Sequence, residues 1–118
     1  MSWIRRSENL TTKDRIAVQD GPGHMIARSL IESDGELNRK GRLLARNTLE
    51  KDCGVGWHIH EGDTEIYIML KGEAEYNDNG TVTTLHPGDV TFTGNGEGHS
   101  ITNTKDEPVE FIALILYV

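Results

Sequence analysis

The chain is short of several things, and each shortage removes a class of protein. Among 118 residues there is one cysteine, Cys53, so no disulfide can close within the chain and nothing points to an oxidising compartment. The longest apolar run, Phe111 to Val118, falls far short of the ~20 residues a spanning helix needs. Met1 to Glu8 carries charge with no apolar stretch behind it, unlike a secretory leader. Positive charge is scarce too: 12 Lys and Arg stand against 19 Asp and Glu, a formal net charge of -7. Such a field repels nucleic acid and anionic membrane surfaces. The expectation is a soluble, cytoplasmic protein that meets a small molecule rather than a polymer or a membrane.

A convincing amphipathic helix is also missing. What the chain has instead is a series of short strand-like runs divided by Gly, Pro, Asn and Asp, which indicates an all-β sandwich or barrel. Its length suffices for one buried core and not for two. Residues 1–24 are polar and broken by Asp20-Gly21-Pro22-Gly23, and they read as an N-terminal arm ahead of a barrel over residues 25–118. Strands are expected at Met25 to Ile31, Arg42 to Leu49, Val55 to His60 and Thr64 to Leu70. A charged loop fills Glu36 to Gly41. Further strands are expected at Ala74 to Tyr76, Thr81 to Leu85, Val90 to Thr93 and His99 to Thr104, with Asn77-Asp78-Asn79-Gly80 as a hairpin turn. The last, Val109 to Val118, is apolar on both faces and is expected to be buried on both.

The chemistry gathers at Gly56-Trp57-His58-Ile59-His60-Glu61-Gly62-Asp63-Thr64-Glu65. On a strand, side chains alternate, so His58 and His60 project from one face. Continuous parity then sends Gly56 inward with them and turns Trp57 and Ile59 away. Glu65 inward brings Tyr67 and Met69 with it. A third histidine, His99, comes after the loop Gly94-Asn95-Gly96-Glu97-Gly98, and its parity takes Ile101 and Asn103 inward. Three imidazoles and a carboxylate make a transition-metal shell.

The spacing resembles that of the cupin superfamily of small antiparallel jelly-roll β-barrels. The first cupin motif is fitted by His58, His60, Glu65 and Gly72, and the second by Gly88, Gly96, His99 and Asn103. Asp52 stands where the first motif usually opens with glycine, and Gly94 where the second usually has proline. Neither is a ligand. The resemblance covers about Arg42 to Val118 and implies that His58, His60, Glu65 and His99 hold one divalent transition metal, Mn, Fe, Ni or Zn, at one end of the barrel. It also implies a homodimer, with the N-terminal arm open to exchange between copies.

Four protein ligands on a metal that prefers six leave about two positions for water or a small polar or anionic metabolite, polarised by Lewis-acid action. The resemblance brings two reaction types, sugar isomerase or epimerase chemistry and oxalate decarboxylase or dioxygenase chemistry, and sequence does not divide them. The alternative is a non-catalytic metal and small-ligand binding module. Tyr67 and Glu97 are the candidate catalytic residues, although packing is the simpler account of Tyr67 and a solvated loop carboxylate that of Glu97. Arg28, Arg42 and Arg46 bind an anionic substrate if they face the pocket, and pair on the surface otherwise. His24 and His86 lie outside both motifs and read as structural or exposed. Cys53 reads as an inert turn thiol.

Overall fold

A computed structural model describes residues 1–118. Ten strands and no α-helix make up the chain, in two antiparallel sheets. In chain order the strands are β1 (Thr11–Ile16), β2 (His24–Ser29), β3 (Gly41–Leu49), β4 (Gly54–Ile59) and β5 (Asp63–Lys71). They continue with β6 (Ala74–Asp78), β7 (Thr81–Leu85), β8 (Val90–Thr93), β9 (Gly98–Thr102) and β10 (Val109–Tyr117). A six-stranded sheet runs β1-β2-β3-β10-β5-β8 and faces a four-stranded sheet, β4-β9-β6-β7. This is the jelly-roll arrangement that the spacing of turns predicts, and no helix is long and apolar enough to cross a membrane.

The core lies between the two sheets. Leu49, Ile101, Val109 and Phe111 have no exposed surface, and each such side chain contributes on the order of 1.5–3 kcal/mol by leaving water. β10 is the central strand, and its inward residues Val109, Phe111, Ala113 and Ile115 are buried. Its outward residues Ile112, Leu114 and Leu116 remain half-buried. That corrects the expectation of burial on both faces: both faces are apolar, but within one chain only the inner one is covered.

Two other differences from the sequence reading matter for the site. Within the N-terminal segment, Thr11–Ile16 adds a strand that composition hides, because all six residues are exposed and no apolar alternation marks them. It pairs with β2 from Thr11 opposite Ser29 to Ile16 opposite His24. In β4 the register slips between Val55, opposite Ile101, and His58, opposite His99. This bulge breaks the simple alternation, so Val55 is buried with the core while Gly56 turns to the 3-10 turn at Val18–Asp20. A bulge inserts one residue and re-aims the side chains beyond it. His58 and His60 still share the inner face.

Candidate metal centre

β4 supplies His58 and, just past its end, His60; β5 supplies Glu65; β9 supplies His99. His58 and His99 sit opposite one another in the β4–β9 ladder. Glu65 reaches them from the facing sheet. The ligand atoms of all four lie within 4.8 Å of one another. His99 Nε2 is 3.1 Å from His58 Nε2, 3.1 Å from His60 Nε2 and 3.0 Å from Glu65 Oε1. Glu65 Oε1 is also 3.1 Å from His60 Nε2 and 3.9 Å from His58 Nε2.

These spacings fit a metal ion. Bonds of ~2.1 Å meeting at right angles separate neighbouring donors by ~3.0 Å. The far nitrogen of each ring supports the fit, because its partner decides which nitrogen carries the proton. His58 Nδ1 lies 2.8 Å from the Gly56 carbonyl, which can only accept, so it must donate there. His60 Nδ1 donates to Asp63 Oδ1 at 2.7 Å. His99 Nδ1 meets the hydroxyls of Tyr76 at 2.8 Å and Thr93 at 2.9 Å. With the proton on Nδ1, as His58 and His60 hold it, a neutral ring turns a bare Nε2 lone pair toward Glu65, and a cation between them relieves the converging acceptors.

The field inside the cluster couples the same four groups to one another. Burial works to raise the Glu65 carboxyl, but the three imidazoles prevail and hold it well below the usual carboxylate range. His60 is raised above the ordinary imidazole value, chiefly by its bond to Glu65 and further by Asp63. His99, with no exposed surface, is pushed down, first by burial. Asp63 is itself held by Arg42, whose Nε donates to Oδ2 at 3.1 Å. Thus one carboxylate both orients His60 and ties the rim of the site to β3.

Behind the ligands, Tyr67 stacks on His99 with ring centres 4.9 Å apart and lines the cavity. Its hydroxyl is raised well above the ordinary phenol value, first by burial and then by the Glu65 charge. Glu97 is spent differently. Its Oε1 accepts from the Gly94 N–H at 2.8 Å and closes the loop before His99. That loop is also pinned to the β4–β5 turn: Gly96 N–H donates to the His60 carbonyl at 2.6 Å, and Gly62 N–H to Asn95 Oδ1 at 2.8 Å.

A cavity of about 300 Å³ opens from the ligands. Arg42 lines it because the β3–β10 pairing steps from Leu43 opposite Ile115 to Gly41 opposite Leu116, which leaves Arg42 unpaired in the bulge and turned toward Asp63. Arg46 instead pairs with Glu110 on the outer face at 2.9 Å, and Arg28 is exposed beside it, so neither reaches the pocket. His24 pairs with Asp14 at 2.7 Å, and His86 stands exposed near Asp89, both away from the ligands. Met69 and Ile101 are core. Asn103 is buried but binds backbone, donating to the Leu49 and Glu107 carbonyls and accepting from Lys105 N–H, which makes it a brace. Cys53 is a buried free thiol.

Sequence reasoning missed Asp63, Tyr76, Thr93 and Arg15. Asp63 carried a usable signal, since it stands two residues before Glu65 and shares its face. Tyr76 and Thr93 become neighbours of His99 only once β6, β8 and β9 are set in their sheets, and Arg15 lies in the strand that composition hides.

Comparison with known proteins agrees with this geometry. The family model described as Cupin domain matches residues 46–115. A protein of Thermotoga maritima named oxalate-binding protein is 39% identical over 113 residues, covering 96% of this chain and 93% of that one. The crystal structure of a predicted oxalate decarboxylase from Thermotoga maritima superposes with a TM-score of 0.93 at 38% identity, covering 98% of this chain and all of the other. A sugar phosphate isomerase of the cupin superfamily from Silicibacter pomeroyi shares the fold at a TM-score of 0.71 and 19% identity, over 92% of this chain and 73% of that one.

Proposed function

The chain belongs to the cupin family, and from that premise we propose that it is a metal-dependent protein that holds and activates a small carboxylate of the oxalate class. One observation carries this reading. Three imidazoles, those of His58 and His60 with their protons turned outward, and one carboxylate converge at cis-ligand spacing beside a cavity. His58, His60, Glu65 and His99 are the proposed ligands, for Mn, Fe, Ni or Zn. A divalent ion bound there supplies Lewis-acid polarisation of a coordinated carboxylate or carbonyl oxygen.

The chain's own residues do the rest. Asp63 holds the His60 proton at Nδ1, and Tyr76 with Thr93 fixes the plane of the His99 ring. Arg42, half exposed at the rim, attracts the anion. Tyr67 is proposed as the protic wall of the site: burial keeps its hydroxyl protonated, so it can donate to a bound oxygen. Glu97 is the second proposed catalytic group, and it must release the Gly94 N–H to act. The more similar of the two solved structures, a predicted oxalate decarboxylase, favours decarboxylase chemistry over isomerisation.

A second reading is favoured by the name of the Thermotoga relative, a binding protein: metal and ligand are held without turnover. Calorimetric titration of the metal-loaded protein with oxalate, followed by assay of the mixture for formate and carbon dioxide, separates the two. Tight binding with product supports the enzyme, and tight binding without product supports the module. No binding rejects both.

We propose further that the protein is a cytoplasmic homodimer. On the outer face of the six-stranded sheet the register lines up Leu44, Leu114, Ile66 and Phe92 in one row. Ile112, Ile68 and Val90 form the next. Ile68 is 39%, Val90 64% and Phe92 61% exposed. A second copy, related by a two-fold axis, covers such a self-complementary strip. The N-terminal arm packs on its own chain through β1, and its exchange between copies is a variant of the same assembly.

A further inference from the structure

Asn47 is 4% exposed, it lines the cavity beside the metal ligands, and its Oδ1 has no hydrogen-bond partner. A buried carboxamide oxygen left unpaired is costly; this one is sealed from the cavity as it stands, and a half-turn of the amide about its Cβ–Cγ bond brings it to the wall, where a ligand completes the bond. The register fixes where that place is. Along the inner face of β3, Asn47 stands two residues from Ala45. Ala45 faces Ala113, and Ala113 faces Tyr67, two residues beyond Glu65. Two alanines therefore form the floor between the metal ligands and Asn47, and their methyl groups leave open the space that longer side chains would fill. From the backbone of Glu65 to that of Asn47 is on the order of 16 Å by strand spacing and rise, more than a two-carbon diacid spans.

We infer that Asn47 is the far end of a ligand subsite beyond the place an oxalate-class carboxylate takes, so that the cavity also accepts a polyhydroxy acid several carbons long, its carboxylate at the metal centre and a hydroxyl on the Asn47 carboxamide. This rests on the metal-dependent reading above. The chemistry favours a hydroxyl over a second carboxylate at that end. A carboxamide both donates and accepts, as a hydroxyl does, whereas a carboxylate buried against a neutral amide lacks a counter-charge. The positive groups that line the cavity, Arg15 and Arg42, have their side chains toward solvent and suit the anionic end or its approach.

The test titrates metal-loaded protein with D-gluconate and with oxalate, in the wild type and in Asn47→Ala. Gluconate should lose at least tenfold in affinity in the variant, while oxalate binds both proteins alike. If oxalate binds and gluconate either fails to bind the wild type or is indifferent to Asn47→Ala, this inference falls and the metal-dependent reading stands; if neither ligand binds the loaded wild type, both fall. A second readout needs no ligand. Asn47→Leu removes an unpaired polar group at similar volume and should raise the Tm of the unliganded protein. A lowered Tm would mean that the carboxamide serves the fold, and would overturn the assignment.

Discussion

Asp63 is the residue on which the metal centre turns without being one of its ligands. It accepts the His60 Nδ1 proton and the Arg42 Nε proton at once, so it decides both the tautomer and the ring orientation of a ligand. Asp63→Asn should weaken divalent metal binding about 10- to 100-fold, as loss of such an outer partner does, read as the dissociation constant by calorimetry. Tyr76→Phe should cost less, because Thr93 still meets His99 Nδ1 at 2.9 Å. If Asp63→Asn binds metal as the wild type does, the orienting role fails. The grouping of His58, His60, Glu65 and His99 was legible in the sequence because alternation along a strand and fixed motif spacing are both local facts. Tyr76 and Thr93 were not, since their contact with His99 depends on which strands become neighbours.

Among the elements, β4 and the N-terminal strand show where sequence reading stops. Alternation alone sends Gly56 inward, yet the β4 bulge turns it to the Val18–Asp20 turn, where an added Cβ would overlap the Gln19 carbonyl. Gly56→Ala should therefore destabilise by about 1–3 kcal/mol, measured by chemical denaturation, and an unchanged midpoint would count against this packing. Nothing in the composition of Thr11–Ile16 announces a strand; it forms because β2 offers an edge. The segment before it is clasped by Arg5, which donates to Glu36 at 2.8 and 2.9 Å. Those bonds, first that from Arg5 and then the Glu32 N–H, lower the Glu36 carboxyl from 4.5 to about 2. A carboxyl lowered in the folded state stabilises it above the unfolded value and loses that contribution as pH falls through the folded one. The Tm advantage of the wild type over Glu36→Gln should thus be constant above pH 4.5 and vanish near pH 2. A difference that persists in acid would contradict the clasp.

For the whole molecule, two sheets place a metal-ligand cluster at one end of the core and leave an apolar strip on the outer face. The all-β class and jelly roll were legible because turns punctuate the sequence at short intervals. The half-covered face of β10 was misjudged because apolar residues on both faces look alike whether the second is covered by the same chain or by another. Sedimentation at micromolar concentration should find a dimer, and Phe92→Glu should shift it to monomer; a monomeric wild type rejects the assembly. Removing the metal should lower the Tm, since an ion at about 100 times its dissociation constant stabilises by about 2.7 kcal/mol. The central claim is tested most directly by calorimetric titration of chelator-stripped protein with manganese, nickel and zinc, beside His99→Ala. One equivalent per chain for at least one of the three, abolished in the variant, is the result expected from the converging Nε2 atoms and Glu65. Binding of none of the three, or binding that survives His99→Ala unchanged, would contradict it.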